Sequence, residues 1–412
     1  MAGWEKRRGA APLEGDEHRL RRRQEEAALL LRRIRGLVRW VVEEVAVGRS
    51  PSIVLHRYRN YCSAADAASP SPCACSYDAP VGTDVLSLLH KDCHTSRLNV
   101  LLRVLLVVQQ LLQQNKHCSK RDIYYMYPSI FVEVAVVDHA INDICILFKC
   151  SRHNLNVVPV VKGLVMGWIR FVEGEKKVYC ITNVNAAFSV PVSIEAIKDV
   201  VSVAHYILVV EKETVPLQCS SVWPMTSSVK EIAALLLQEE ATQIFQQEGM
   251  CSLLSTLVIS EDAIPVINSF SHPRFLRYLV EQLHLPAYCL VDSDPYGFDI
   301  LATYKFGSLQ LAYDANLLRV PDIRWLGVFT SDLEDFCLPD CCLLHLSPED
   351  RRKAEGILAR CYLHKEAPEW RSELEAMLQK GVKFEIEALS ASSISFLSDR
   401  YIPQKIKQGR HL

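Results

Sequence analysis

Twice in the second half of this chain a helical stretch is followed by a short apolar run that stops on an acid. Residues 194–203 read as a helix, and 206–210 then read as a buried strand ending at Glu211. Residues 274–283 and 287–291 repeat the pattern, and the second strand ends at Asp292, with Asp294 two positions on. A further strand is expected over 323–328, and helices over 348–360 and 368–379, with a last helical segment starting near 384. Apolar strands alternating with helices specify a largely parallel sheet covered on both faces. Sheets of this kind bind ligands beyond the carboxyl ends of their strands, which is where the acids fall.

The first half has a different pattern. Residues 16–47 form one amphipathic helix, rich in arginine at Arg19, Arg21, Arg22, Arg23, Arg32, Arg33 and Arg35, with Leu29, Leu30, Ile34, Leu37 and Val41 as its apolar face. From residue 63 the composition turns to Ala, Ser and Pro, with Cys73 and Cys75 and no periodicity, so 63–96 is expected to be a poorly ordered linker. Helices follow at 97–115 and 131–149, and Ser151 is a suitable cap for a short third. A hairpin then reads as strands 163–172 and 178–181 around a turn at 174–177. Close-set helices followed by a hairpin read as a winged helix, which would place Lys149, Arg152, His153 and Lys162 near a DNA-facing surface. The fold class is therefore α+β giving way to α/β.

With 412 residues, 49% hydrophobic and 23% charged, the chain can bury more than one core. A formal charge of -2 gives no global attraction to nucleic acid, so such binding needs local basic patches. Fifteen scattered cysteines and an N-terminus carrying Glu5, Lys6, Arg7 and Arg8 argue for reduced thiols in a cytosolic or nuclear setting. The apolar run 98–112 is broken by Arg103, Gln109 and Gln110 and falls short of the roughly 18 residues a membrane span needs. No membrane association is expected. Cys337, Cys341, Cys342 and His345 could hold zinc by spacing, but no Cys-x-x-Cys pair accompanies them, and they read as ordinary thiols. Cys145 and Cys150 read as buried thiols. No Gly-x-x-x-x-Gly-Lys-Ser/Thr loop is present, so a nucleotide would be handled by a partner.

The chemistry is concentrated in Arg121-Asp122-Ile123-Tyr124-Tyr125 and in the three acids. A phenol, with an ordinary pKa of about 10, is ionised in only about one molecule in a thousand at neutral pH, so a tyrosine nucleophile needs help. Arg121 could stabilise charge developing on phosphorus, and several carboxylates converging from adjacent strands suit a hard divalent cation. Asp122 is given no catalytic role, and Tyr124 is read as packing.

The tyrosine motif, Lys162-Gly163-Leu164, Val210-Glu211-Lys212 and Val291-Asp292-Ser293-Asp294-Pro295-Tyr296-Gly297 resemble type VI topoisomerase A-subunits. With Ile323-Arg324-Trp325-Leu326-Gly327 the resemblance is closer to the meiotic recombination proteins that make double-strand breaks, in their plant type-1 form. It implies an N-terminal partner-binding region over 1–62, a winged-helix domain over 97–190, a Toprim domain over 193–390 and a tail over 391–412. It implies Tyr125 as nucleophile with Arg121 beside it, and Mg²⁺ on Glu211, Asp292 and Asp294. It also implies a homodimer in which one protomer's tyrosine works with the other's metal, duplex DNA as substrate, 5′-phosphotyrosyl products and nuclear location. An ATP-handling type VI topoisomerase B-like subunit is implied as partner, docked on the first helix around 29–41.

Between 216 and 273 the family pattern lapses: the expected Thr-Gly-x-Gly-x-Pro-Asp sequence is missing, a helix is expected at 228–247 and a strand at 253–259, and the pattern resumes at Arg274. An altered exon structure would explain this. If the segment damages the sheet between the Glu211 and Asp292 strands, the chain becomes a DNA-binding and dimerisation module that does not cleave. A Toprim nuclease or primase that ignores the tyrosine is a third reading.

Overall fold

The computed structural model describes residues 7–8, 16–62, 73–88, 91–158, 164–167, 169–173, 176–179, 188–191, 194, 197–202, 204–211, 256–260, 271–391, 393 and 396–412. Lys162 and the expected helix at 228–247 lie outside them.

A helical lobe comes first. Asp16–Ala46 packs Leu30 and Ile34 onto Asp92–Gln114 and Val134–Phe148, whose Leu101, Val104, Leu105, Val108, Val137, Ile141 and Ile144 are fully buried. Asp92–Gln114 is long and apolar enough to cross a membrane by composition, yet its apolar stripe is spent on this core. The second helix and Val134–Phe148 are locked further by Arg97, whose guanidinium donates twice to Asp143 at 2.8 Å.

The supposed linker is partly structured. Gly82–Ser87 pairs antiparallel with Ser52–Arg57, alternating residues of which (Ile53, Leu55) are buried with Leu86 and Leu98. The period of two was concealed because the strand partners lie on either side of the unpatterned stretch. The described part of that stretch, 73–81, has no regular structure but is docked rather than loose. Tyr77 donates to Glu366 at 3.1 Å and lies 3.9 Å under the Arg319 guanidinium. Asn60 donates to the Phe306 carbonyl at 2.8 Å, and Tyr61 meets Tyr362 edge-on. Residues 58–62 and 73–81 thus strap the helical lobe to the sheet lobe.

The sheet lobe is built on a six-stranded sheet ordered Arg324–Gly327, Ala287–Leu290, Tyr206–Val210, Thr256–Ser260, Leu164–Gly167, Phe188–Ser189. The first four run parallel and the last two are antiparallel additions. Ile207, Val209, Cys289 and Trp325 point into one core, while Leu208, Val210, Tyr288, Leu290 and Leu326 point into another. Burial on both faces is why these strands are written as unbroken apolar runs.

The Glu211 and Asp292 strands are direct neighbours, paired Val210 to Leu290. Thr256–Ser260, in place of the expected 253–259, lies on the far side of the Glu211 strand. The fear that segment 216–273 interrupts the sheet between the two acids is therefore removed: nothing intervenes there.

Three further expectations are corrected. Residues 197–202 form a strand, not a helix, paired with Ile169–Glu173. The ladder slips between Arg170 and Val172, and Asp199 sits at φ 49°, so a bulge spaces buried Ile197 and Val200 three apart and imitates helical period. The single strand expected at 163–172 is two, in different sheets: Gly167, at φ 108°, ends the first, and Ile169–Glu173 makes the hairpin with Lys176–Tyr179. Finally, 391–412 is no tail. Helical residues from Leu397 to Gln408 cover the second face of the sheet, with Leu397, Tyr401 and Ile402 in its core. Lys405 is buried against Asp332 at 2.5 Å, and Leu412 exchanges two main-chain hydrogen bonds with Trp325 along the sheet edge.

Candidate active site

The tyrosine motif is a seven-residue helix, Lys120–Met126, which is too short to hold its shape by propensity alone. It is held by its ends and one anchor. Ser119 and Asp122 form a capping box: the Ser119 amide donates to Asp122 at 2.8 Å and the Asp122 amide to Ser119 Oγ at 3.2 Å. Ile123 is fully buried, and Tyr124 donates to the Val132 carbonyl at 3.3 Å. That leaves Tyr125 69% exposed, with its hydroxyl in no hydrogen bond among the described residues. Arg121, one turn earlier, is exposed on the same helical face.

The base of this helix is wired inward. Lys120 and Arg152 both donate to Asp138 Oδ1, at 3.1 and 2.8 Å. Arg152 also donates to Asn142 at 2.6 Å, and Tyr313 of the sheet lobe donates to the same oxygen at 3.1 Å. Burial alone would raise the Asp138 carboxyl, but the two cations reverse this and hold it below its ordinary value.

Opposite in character is the acid cluster. Glu211 and Asp292 are buried at 6% and 7% exposure, each just past the end of its strand. The Asp292 amide donates to Glu211 Oε2 at 2.9 Å, and Asp292 Oδ1 accepts from the Ile386 amide at 2.9 Å. Asp294 caps the helix Pro295–Phe306, its Oδ1 accepting from the Tyr296 and Gly297 amides at 2.9 and 2.7 Å. One oxygen of each carboxylate is thus fixed by main chain. Gly297 is required by contact: a Cβ there would lie 2.6 Å from the Asp292 carbonyl and 2.8 Å from Glu211 Oε2. Burial raises the Asp294 carboxyl, against the pull of the Gly297 amide and of Lys383. Glu211 and Asp292 beyond neighbouring strands and Asp294 at the following helix cap, each oriented by main chain, are the oxygen-donor chemistry that a hard divalent cation takes.

Known proteins resemble this chain along most of its length. A family model for the Toprim domain of Spo11 and the topoisomerase 6 A-subunit matches residues 235–406, and one described as "Type IIB DNA topoisomerase" matches 96–157. The chain is 75% identical to meiotic recombination protein SPO11-1 of Oryza sativa subsp. indica over 412 residues, all of both chains. The chain belongs to the Spo11/topoisomerase VI A-subunit family. Within it, meiotic recombination protein SPO11-1 of Arabidopsis thaliana is 50% identical over 383 residues, 93% of this chain and 96% of that one. The DNA topoisomerase 6 A-subunit of the same plant is 31% identical over 306 residues, 74% and 65% of the two chains. The chain is a type IIB topoisomerase-like enzyme with a Toprim domain, a class that binds divalent metal.

The Spo11-family matches correct one expectation directly. The Toprim model begins at residue 235, inside the segment expected to depart from the family up to Pro273. Tyr125 and Arg121 fall within the first matched region and Asp292 and Asp294 within the second, while Glu211 precedes it.

Two of the expected DNA-facing residues do not face outward. Arg152 and His153 are only 3% and 5% exposed, because Arg152 is spent on Asp138 and Asn142 in the lobe interior. Lys149 is exposed, at the left-handed end of Val134–Phe148. Sequence reasoning missed Gly297 and the set Asp138, Asn142 and Tyr313. The Asp-x-Asp-Pro-x-Gly spacing carried a signal for the glycine. The network had none: Asp138, Asn142 and Arg152 lie within fourteen positions but show no pattern that marks them as partners, and Tyr313 is 171 positions from Asn142.

Proposed function

We propose that this chain makes the DNA double-strand breaks that start meiotic recombination, in the nucleus, by tyrosine transesterification. The Tyr125 hydroxyl attacks a backbone phosphorus: the Oη–P bond forms, the P–O3′ bond breaks, and the 3′ oxygen leaves with a proton. The product is a 5′-phosphotyrosyl end that retains the energy of the phosphodiester. Exposure of Tyr125 on a capped helix, beside Arg121, is the observation that carries this reading.

Arg121 is placed to offset charge on the phosphorane. Glu211, Asp292 and Asp294 would hold Mg²⁺, which supplies positive charge to the phosphate or the leaving oxygen. The main-chain bonds to these acids keep them oriented before the cation arrives. The exposed tyrosine and the buried acids belong to different lobes, which suits a homodimer in which each protomer's Tyr125 meets its partner's acids. The helical lobe and the 169–179 hairpin act as a winged-helix module, with Lys149 as a backbone contact.

A B-like ATPase subunit would dock on the first helix. Leu30, Ile34 and Val41 of its expected docking face are buried within the chain. Leu29, Trp40, Val42 and Val45 of the same helix are exposed and remain for the partner. Tyr125→Phe should abolish covalent protein–DNA adducts while DNA binding persists. Adducts that survive this substitution would remove Tyr125 as the nucleophile.

A further inference from the structure

The strap between the lobes ends in a cluster of thiols that the cleavage chemistry does not use. The sulfurs of Cys62, Cys73, Cys75 and Cys361 all lie within 4.8 Å of one another. Cys62 Sγ is 3.5 Å from both Cys73 Sγ and Cys75 Sγ. These contacts are too long for disulfides, and all four thiols are free. They are close to the roughly 3.8 Å that separates sulfurs on a tetrahedral ion with Zn–S bonds of about 2.3 Å.

We propose that Cys62, Cys73, Cys75 and Cys361 form a closed tetrathiolate site for one zinc ion, which clamps the strap to the sheet lobe. Three ligands come from the strap and the fourth from the first turn of the helix Cys361–Lys365. A set this compact encloses a single ion rather than an iron–sulfur cluster, and four protein ligands leave no open position, so the site is structural.

The Cys62 amide donates to Cys361 Sγ at 3.4 Å, and the Lys365 ammonium interacts electrostatically with Cys73. An N–H donor and a cation both offset the net negative charge that four thiolates leave on a divalent ion. Neighbouring contacts converge on the same seam: Arg360, adjacent to Cys361, lies 4.9 Å over the Tyr61 ring, adjacent to Cys62. A strap with no regular structure between 73 and 81, tied by main-chain hydrogen bonds at Ser76 and Val81, gains a further fixed endpoint at Cys73 and Cys75.

The test is metal content of the full-length chain, purified under reducing conditions without chelator. One zinc per chain is expected, surviving gel filtration and released when the thiols are alkylated. The Cys73→Ser/Cys361→Ser double variant should hold none, and the Cys337→Ser/Cys341→Ser control should hold one. Should the double variant not fold, X-ray absorption on the wild-type chain decides, with four sulfur neighbours at about 2.3 Å expected. Zinc-free wild-type protein overturns the proposal. So do zinc retained by the folded double variant, a nitrogen or oxygen neighbour in the absorption spectrum, bound iron, or a disulfide among the four under these conditions.

Discussion

The tyrosine helix and the acid cluster solve opposite problems. In the proposed reaction the first presents an oxygen to a bulky polyanion, and Tyr125 stands out on a short helix held by one cap, one buried isoleucine and a charged network at its base. The second must keep like charges together inside the protein, so each carboxylate is tied to main-chain amides and a glycine makes room for the approach. Reach is gained by exposure in one region, and orientation by burial in the other. Substitutions that disturb one region without the other therefore separate their contributions.

The largest loss of stability is expected at Arg152→Ala. It leaves Asp138 with Lys120 but without its buried guanidinium, and loss of one partner of a buried pair costs up to about 3–5 kcal/mol, read by denaturant unfolding. Because Asn142 and Tyr313 share this network, adduct yield should fall although the acids are untouched. The pH dependence has a definite sign. Asp138 has a folded pKa below its unfolded value, so its stabilisation is complete above the ordinary carboxylate range and is lost as pH falls through the depressed value. Arg152→Ala should therefore flatten the acid limb of a stability-versus-pH curve.

Gly297→Ala comes next, at about 1–3 kcal/mol for forced repacking. Its diagnostic result is weakened divalent-cation binding by calorimetry, with the helical lobe intact. Asp294 gives this binding its own pH dependence: its folded pKa is raised, so its ionised form is disfavoured in the fold, and cation affinity should fall as pH drops through that raised value. Asp122→Ala should cost about 1 kcal/mol through the lost cap, reducing adducts while cation binding stays unchanged. Tyr125→Phe should shift stability by less than about 0.5 kcal/mol, as exposed substitutions do, while removing adducts altogether.

How far the sequence foretold these two regions follows from the range of the interactions. The acid strands were legible because burial on both faces forces apolar runs, and the acids mark where those runs leave the core. The 197–202 strand was misread because a bulge at Asp199 sets a spacing of three. Arg152 was misread because a charged residue between a helix and a hairpin looks like a surface contact. Only Asp138, fourteen positions earlier, shows that it is a strut. The C-terminal layer was missed because Tyr401 and Lys405 have no local pattern and are placed by Asp332. The thiol cluster was invisible for the same reason: Cys361 is 299 positions from Cys62.

The central claim is that the two regions are halves of one reaction site supplied by different protomers. It is tested by mixing Tyr125→Phe chains with Asp292→Asn chains, each inactive alone, and mapping the covalent adducts formed on duplex DNA. The mixed dimer should nick one strand, with every 5′ link on the Asp292→Asn chain, which alone keeps Tyr125. A silent mixture, or links on the Tyr125→Phe chain, would contradict it.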